Sequence, residues 1–159
     1  MADRIVMNTG PLIALAQASA LDVAAHLPIQ FCCPDEVKSE FDEGVRLGLS
    51  SAAWPSWLQV IPLGQSLNPL ARLSLDPGEA AVIQLALEQK IGCVCIYEVK
   101  GRRYARGVGL SVTGSLGLLG RAKRVGLIPL VKPYIDAITA TGTWYHPELV
   151  RRFLTDLGE

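Results

Sequence analysis

Apolar residues along the chain follow two alternating rhythms. Short runs such as Ile5-Val6-Met7 and Cys93-Val94-Cys95-Ile96 are apolar at every position, the mark of strands buried on both faces of a parallel sheet. Elsewhere apolar residues recur four apart, as in Val37, Phe41 and Val45, the spacing of one helix face. The pattern predicts strands over Arg4 to Met7, Ile29 to Cys33, Leu58 to Pro62, Cys93 to Ile96 and Leu110 to Thr113. Between and after them it predicts helices at Pro11 to Gln17, Leu21 to His26, from Pro34 onward, Asp76 to Glu88, Gly101 to Gly107, Gly114 to Arg124, Val131 to Thr141 and Pro147 to Leu157. Gly48 to Ser56 reads as a loop, and Gly64 to Ser74 is mixed, with room for a helical turn. Strands alternate with helices and no Asn-Gly hairpin signal intervenes, so the expected class is α/β with a mainly parallel five-stranded sheet.

Composition narrows the picture. The chain has 159 residues, which suits one domain, 1–159, around one core. No apolar run reaches the ~18 residues of a membrane span, and the first residues read as strand and turn instead of a signal peptide; the expected location is cytoplasmic and the protein is expected off the membrane. Fifteen basic residues balance fifteen acidic ones, so no global field draws the protein to nucleic acid, and any such binding needs a local patch. The cysteines, Cys32-Cys33 and Cys93-x-Cys95, lack the C-x₂-C spacing of common zinc sites and sit in apolar runs, where free thiols act as small apolar side chains. Trp54 and Trp57, in a neutral chain that is half apolar, lead us to expect an interface with a second copy, as a homodimer, or with a partner protein.

Parallel sheets bind ligands outside the carboxyl ends of their strands. Asn8 follows the first strand, and Tyr97-Glu98 follows the fourth. Glu79 falls in the first turn of the helix before that strand, and Glu40 lies on the side of its helix not used by Val37 and Phe41. Oxygen ligands of this kind hold hard cations such as Mg²⁺ or Mn²⁺. Each acid also has a plain structural explanation: Asp76-Pro77-Gly78-Glu79 is a complete helix start with its own cap, and Glu40 sits among Asp35, Glu36, Asp42 and Glu43, a run that reads as a solvated face. Lys100, Arg102, Arg103 and Arg106 form the densest basic segment, suited to phosphates or to a solvated helix face. Arg121, Lys123 and Arg124 end a later helix and complement its dipole. The glycines at 114, 117 and 120 match neither the dinucleotide fingerprint nor the P-loop. With only His26 and His146 and no G-x-S-x-G elbow, a serine, cysteine or histidine hydrolase is a poor fit.

Six stretches in order, Asn8-Thr9-Gly10-Pro11-Leu12-Ile13-Ala14-Leu15-Ala16, Pro34-Asp35-Glu36-Val37-Lys38-Ser39-Glu40-Phe41, Leu75-Asp76-Pro77-Gly78-Glu79-Ala80, Ile96 to Ala105, Val112 to Gly117 and Ala122 to Pro129, resemble the PIN-domain family. The closer likeness is to its small prokaryotic PIN-like proteins, which are regarded as nucleic-acid-binding. The resemblance implies a three-layer α/β/α sandwich and Mg²⁺- or Mn²⁺-dependent hydrolysis of RNA, often as the toxin half of a toxin–antitoxin pair with an antitoxin-like partner. It implies acids at position 8, Glu40, Glu79 and position 97, beside Glu98. This chain has Asn8 and Tyr97 instead. Asn8 keeps a carbonyl oxygen without charge, and a protonated phenol is a poor ligand. The implied ligands are therefore Glu40, Glu79 and Asn8, with Glu98 beside them. Thr9 is then placed to bond water or substrate, and Lys100, Arg102, Arg103 and Arg106 to hold phosphates.

Three readings stand at this point. One is a metal-dependent endoribonuclease with a partly degraded acidic site. Another is an inactive module of the same fold that binds RNA or a partner protein, and a third is a flavodoxin-like domain that binds a small anion.

Overall fold

The computed structural model describes residues 3–159. Its strands are β1 (Asp3–Met7), β2 (Ile29–Cys33), β3 (Gln59–Val60), β4 (Cys93–Cys95) and β5 (Ser111–Thr113). Its helices are α1 (Thr9–Gln17), α2 (Leu21–Ala25), α3 (Asp35–Arg46), α4 (Pro69–Arg72), α5 (Pro77–Glu88), α6 (Val99–Gly107), α7 (Ser115–Arg124), α8 (Lys132–Ala140) and α9 (Pro147–Asp156). All five strands join one sheet in the order β3-β2-β1-β4-β5, and every pairing is parallel. The α/β class with a parallel five-stranded sheet therefore stands. A flavodoxin-like sheet runs 2-1-3-4-5, so the strand order removes that reading.

The described residues group into two compact units. The first extends to residue 13 and resumes over 28–114; the second comprises 14–27 and 115–159.

The first unit holds the whole sheet. Register sets the strand ends level: Met7 lies beside Cys95, Val6 beside both Cys32 and Val94, and Cys33 beside Val60. Chain segments that leave these ends all emerge on one edge of the sheet. The core is what the uniform apolar runs require, with Val6, Met7, Cys33, Val94, Cys95 and Ile96 fully buried. On α3, Val37 and Phe41 are buried, while Val45 in the last turn emerges to solvent. No disulfide joins the cysteines among the described residues, and burial pushes the Cys33 thiol up to about 12 and raises that of Cys95, as expected for apolar packing groups. Trp57 packs edge-on against Phe31 and Trp54 against Phe41, each at 5.2 Å between ring centroids. Lys38 Nζ lies 5.0 Å over the Trp54 ring. The two indoles on which a dimer was expected are half-buried parts of this unit's own packing.

In the second unit α2 packs against α7, and α9 lies close because Gly120 carries no side chain. A Cβ there would stand 2.8 Å from Phe153 Cζ. Glu159 fixes the last residue in place. Its carboxylate accepts the Val131 and Lys132 amides at the start of α8, at 2.7 and 3.0 Å, and pairs with Lys123 Nζ at 3.0 Å. Among the described residues no helix is long and apolar enough to cross a membrane.

Candidate functional site

The strand-end edge of the first unit is built from three short motifs. Where β1 ends, the Asn8 amide still bonds Cys95 O at 3.0 Å, so the sheet's hydrogen-bonding runs one residue past the strand. That leaves Asn8 and Thr9 each only 7% exposed. Asp76 caps α5 by accepting the Glu79 amide at 2.8 Å, with Pro77 preset at the first turn, as this residue order dictates. On α3, burial of Val37 and Phe41 leaves Glu40 free to point away from the core.

These motifs converge. Thr9 Oγ1 donates to Glu40 Oε2 at 2.8 Å, and the Gly78 amide at the N-terminus of α5 donates to the same carboxylate. Gly78 lets the Glu40 carboxylate sit this close, since a Cβ at that position would overlap Glu40 Oε1 unless the carboxylate moved. Although Glu40 as a residue is exposed, burial of its carboxyl end raises its pKa. The Thr9 bond opposes this rise, the charges of Asp76 and Glu36 reinforce it, and the Gly78 amide opposes it. Glu79 is 6% exposed, and its Oε2 would stand 2.6 Å from a Cβ at Gly101 in the first turn of α6. Burial, a hydrogen bond with Asp76, and the charges of Asp76, Glu98 and Glu40 push Glu79 up to about 8. Two buried oxygens from different segments, Asn8 Oδ1 and Glu79 Oε2, have no hydrogen-bond partner among the described residues.

The structure thus links Thr9 and Glu40 directly, with Glu79 and Glu98 within electrostatic range. Glu98 is exposed at the N-cap of α6 and makes no capping bond through its side chain. Tyr97 is half-buried, its Cβ 3.4 Å from where a Cβ on Gly10 would lie. The basic helix divides in two. Arg102 turns inward, donating from one guanidinium nitrogen to Ile96 O at 2.7 Å and Thr113 O at 3.3 Å, so it ties the ends of β4 and β5 together. Lys100, Arg103 and Arg106 are exposed, while Gly101 and Ala105 are buried.

Two acids were missed by the sequence reading. Asp76 is more than a cap, because its carboxylate also meets that of Glu79. Glu36 lines a cavity of about 350 Å³ with Asp35, Ser39, Glu40 and Pro77, and its Oε2 is buried without a partner. The signal was present: Glu36 and Glu40 are four apart, hence on one helix face.

Among the described residues no three His, Cys, Asp or Glu side chains converge tightly enough to hold a metal ion. The donor set nevertheless suits a hard cation in kind, since it consists of carboxylate and amide oxygens, two of them buried and unpaired.

A family model described as PIN domain matches residues 4–159, so the chain belongs to the PIN-domain family. No curated protein gives a significant match. The fold is therefore of the nucleic-acid nuclease type, and its all-parallel sheet and helices are consistent with the α/β/α sandwich of that family. PIN domains generally use divalent metals, and nucleic acid is the ligand class the family suggests.

Proposed function

We propose that the whole chain is one PIN-like domain and that its strand-end cleft is a ribonuclease site with a depleted acidic set. Such a site binds Mg²⁺ or Mn²⁺ weakly and cleaves RNA slowly. The supporting observation is the pair of buried, unpartnered oxygens, Asn8 Oδ1 and Glu79 Oε2, beside crowded carboxylates. Buried polar atoms without partners are costly, and like charges this close favour a proton or a cation between them.

Glu40, Glu79 and Asn8 are the residues that would hold the cation. Once bound, the cation supplies an activated water and neutralises charge on the scissile phosphate. Thr9 orients Glu40 through its hydroxyl, which gives it a positioning part instead of the substrate contact first expected. Arg102 positions the ends of β4 and β5, leaving Lys100, Arg103 and Arg106 to grip RNA phosphates. Glu98 adds negative charge beside Glu79. Four cysteines without a disulfide among the described residues fit a reducing, cytoplasmic setting. The exposed cations also suit the acidic tail of an antitoxin-like partner.

The second reading, an inactive RNA- or protein-binding module, is favoured by the missing acids at Asn8 and Tyr97. Restoring them decides between the two. With Asn8→Asp and Tyr97→Asp together, Mn²⁺ binding measured by calorimetry should tighten at least tenfold, because affinity follows ligand charge, and cleavage of single-stranded RNA should rise. A folded double variant that gains neither would end the nuclease reading. Brisk cleavage by the unaltered protein, abolished by Glu79→Gln, would show that the site is not depleted.

A further inference from the structure

We propose a second site, separate from the cleft: the open notch at the start of β1 and β2 holds one nucleotide unit, its phosphate on Arg4 and its base against Trp57.

Parallel sheets normally bury both faces. Here β1 and β2 do so only from Ile5 and Phe31 onward. Before that point Arg4 stands opposite Gln30 in register, and two residues on Cys32 stands opposite Gln59. Alternation along the strands puts these four side chains on one face and Phe31, with Trp57 packed on it, on the other. β3 pairs with β2 only at Cys32 and Cys33, so the outer edge of β2 over residues 29–31 has no strand beside it among the described residues. The result is a groove of about 340 Å³ that wraps this open edge, lined by Arg4, Gln30, Cys32 and Gln59 from one face and by Phe31 and Trp57 from the other.

Its chemistry selects an anion. Arg4 is half-buried, and its guanidinium makes no hydrogen bond or ion pair among the described residues. It lines the groove beside Cys32, whose thiol, pushed up by burial, is drawn back by the Arg4 charge. No carboxylate lines the groove. A partly desolvated guanidinium lacking a counter-ion calls for one, and its planar fork matches a phosphate bidentately. The Gln30 and Gln59 amides add donors. Trp57, held edge-on by Phe31, supplies an aromatic surface of the kind on which bases stack. The volume lies at the small end of ligand pockets, which begin near ~300 Å³, so it admits one nucleotide and not a run of them. Arg4 precedes Asn8 by four strand residues, about 13 Å at ~3.3 Å each, so the two sites cannot share a phosphate.

The same unit could come from a free nucleotide or from an RNA strand, and calorimetry without divalent cations separates these. The probes are adenosine 5′-monophosphate, inorganic phosphate and a single-stranded oligoribonucleotide. Adenosine 5′-monophosphate should bind, and Arg4→Gln should weaken it at least tenfold while the melting temperature holds. Gln30→Glu, at an exposed position, should weaken it by repulsion. Trp57→Phe should weaken the nucleotide but not inorganic phosphate, and Glu40→Gln and Glu79→Gln should change neither. An oligoribonucleotide that binds more tightly than the mononucleotide and loses that affinity in Arg4→Gln assigns the site to an RNA strand. One that binds no better assigns it to a free nucleotide. The proposal is overturned if folded protein takes up no mononucleotide at millimolar concentration, if Arg4→Gln binds as well as the original, or if acetate competes as well as phosphate. None of these failures touches the cleft, whose test reads Mn²⁺.

Discussion

Glu40 and Glu159 do the same local job in two different units, and only one of them ends up at ease. Each carboxylate accepts from the backbone at the start of a helix, Glu40 from one amide of α5 and Glu159 from two at α8. Glu159 also has Lys123 at 3.0 Å, and although burial works against it, the Val131, Lys132 and Lys123 bonds hold its pKa below the usual value. Glu40 has a neutral threonine for its second contact, and the nearby charges are Asp76 and Glu36. Its neighbour Glu79 fares worse, since every charge that bears on it is negative. A carboxylate supplied with amides and a cation is a structural clasp. The same group supplied with amides and more carboxylates is a vacancy for positive charge.

The largest effect that sharpens this contrast is on stability. Glu159→Ala should cost about 2 kcal/mol in denaturant unfolding, because it removes a helix cap and strands Lys123. Glu79→Gln should cost nothing at pH 8 and raise the midpoint there. A Glu79→Gln variant as destabilised as Glu159→Ala would erase the distinction.

The pH dependence should split the same way. Glu79 has a folded pKa of about 8 against an ordinary 4.5, so the folded state holds its proton more tightly. The stability it contributes is complete below 4.5 and is lost as pH rises through about 8, at about 1.4 kcal/mol per pH unit in between. Glu159 is lowered, so its contribution is present above the ordinary value and is lost as pH falls through its folded pKa. Melting temperature should therefore fall as pH rises from about 4.5 to about 8 and fall again in acid as Glu159 is protonated, with Glu79→Gln flattening only the first decline. A flat profile between about pH 4.5 and 8 in the unaltered protein would contradict the crowding of Glu79.

A subtler test is steric. Gly78→Ala should displace the Glu40 carboxylate, whose flexible end can move, so the fold should survive with a stability change under about 1 kcal/mol while Mn²⁺ binding falls severalfold. Smallest of all, Thr9→Val should lower the Glu40 contact's contribution by about 1 kcal/mol and loosen Mn²⁺ only slightly. Unchanged Mn²⁺ binding in Gly78→Ala would mean that Glu40 is not a ligand.

Much of this was legible in one dimension. Uniform apolar runs such as Cys93 to Ile96 can only be buried strands, and Asp76-Pro77-Gly78-Glu79 can hardly be anything but a helix start. Strand polarity suggested a shared edge for Asn8, Glu40 and Glu79, because parallel strands send all their carboxyl ends the same way, and the PIN-domain likeness implied the same set. Local rules sufficed because caps, turns and periodicity act within a few residues.

Only the tertiary structure decided what each side chain meets. It turned Arg102 inward to two strand carbonyls and left Lys100, Arg103 and Arg106 outside, although all four look alike in the sequence. It folded Trp54 and Trp57 onto Phe41 and Phe31. It brought the Asp76 carboxylate against that of Glu79, and left Arg4 without a counter-ion over its groove. Hydrogen bonding and Coulomb interactions depend on distances between segments dozens of residues apart. Residue type and spacing in the sequence carry no measure of those distances.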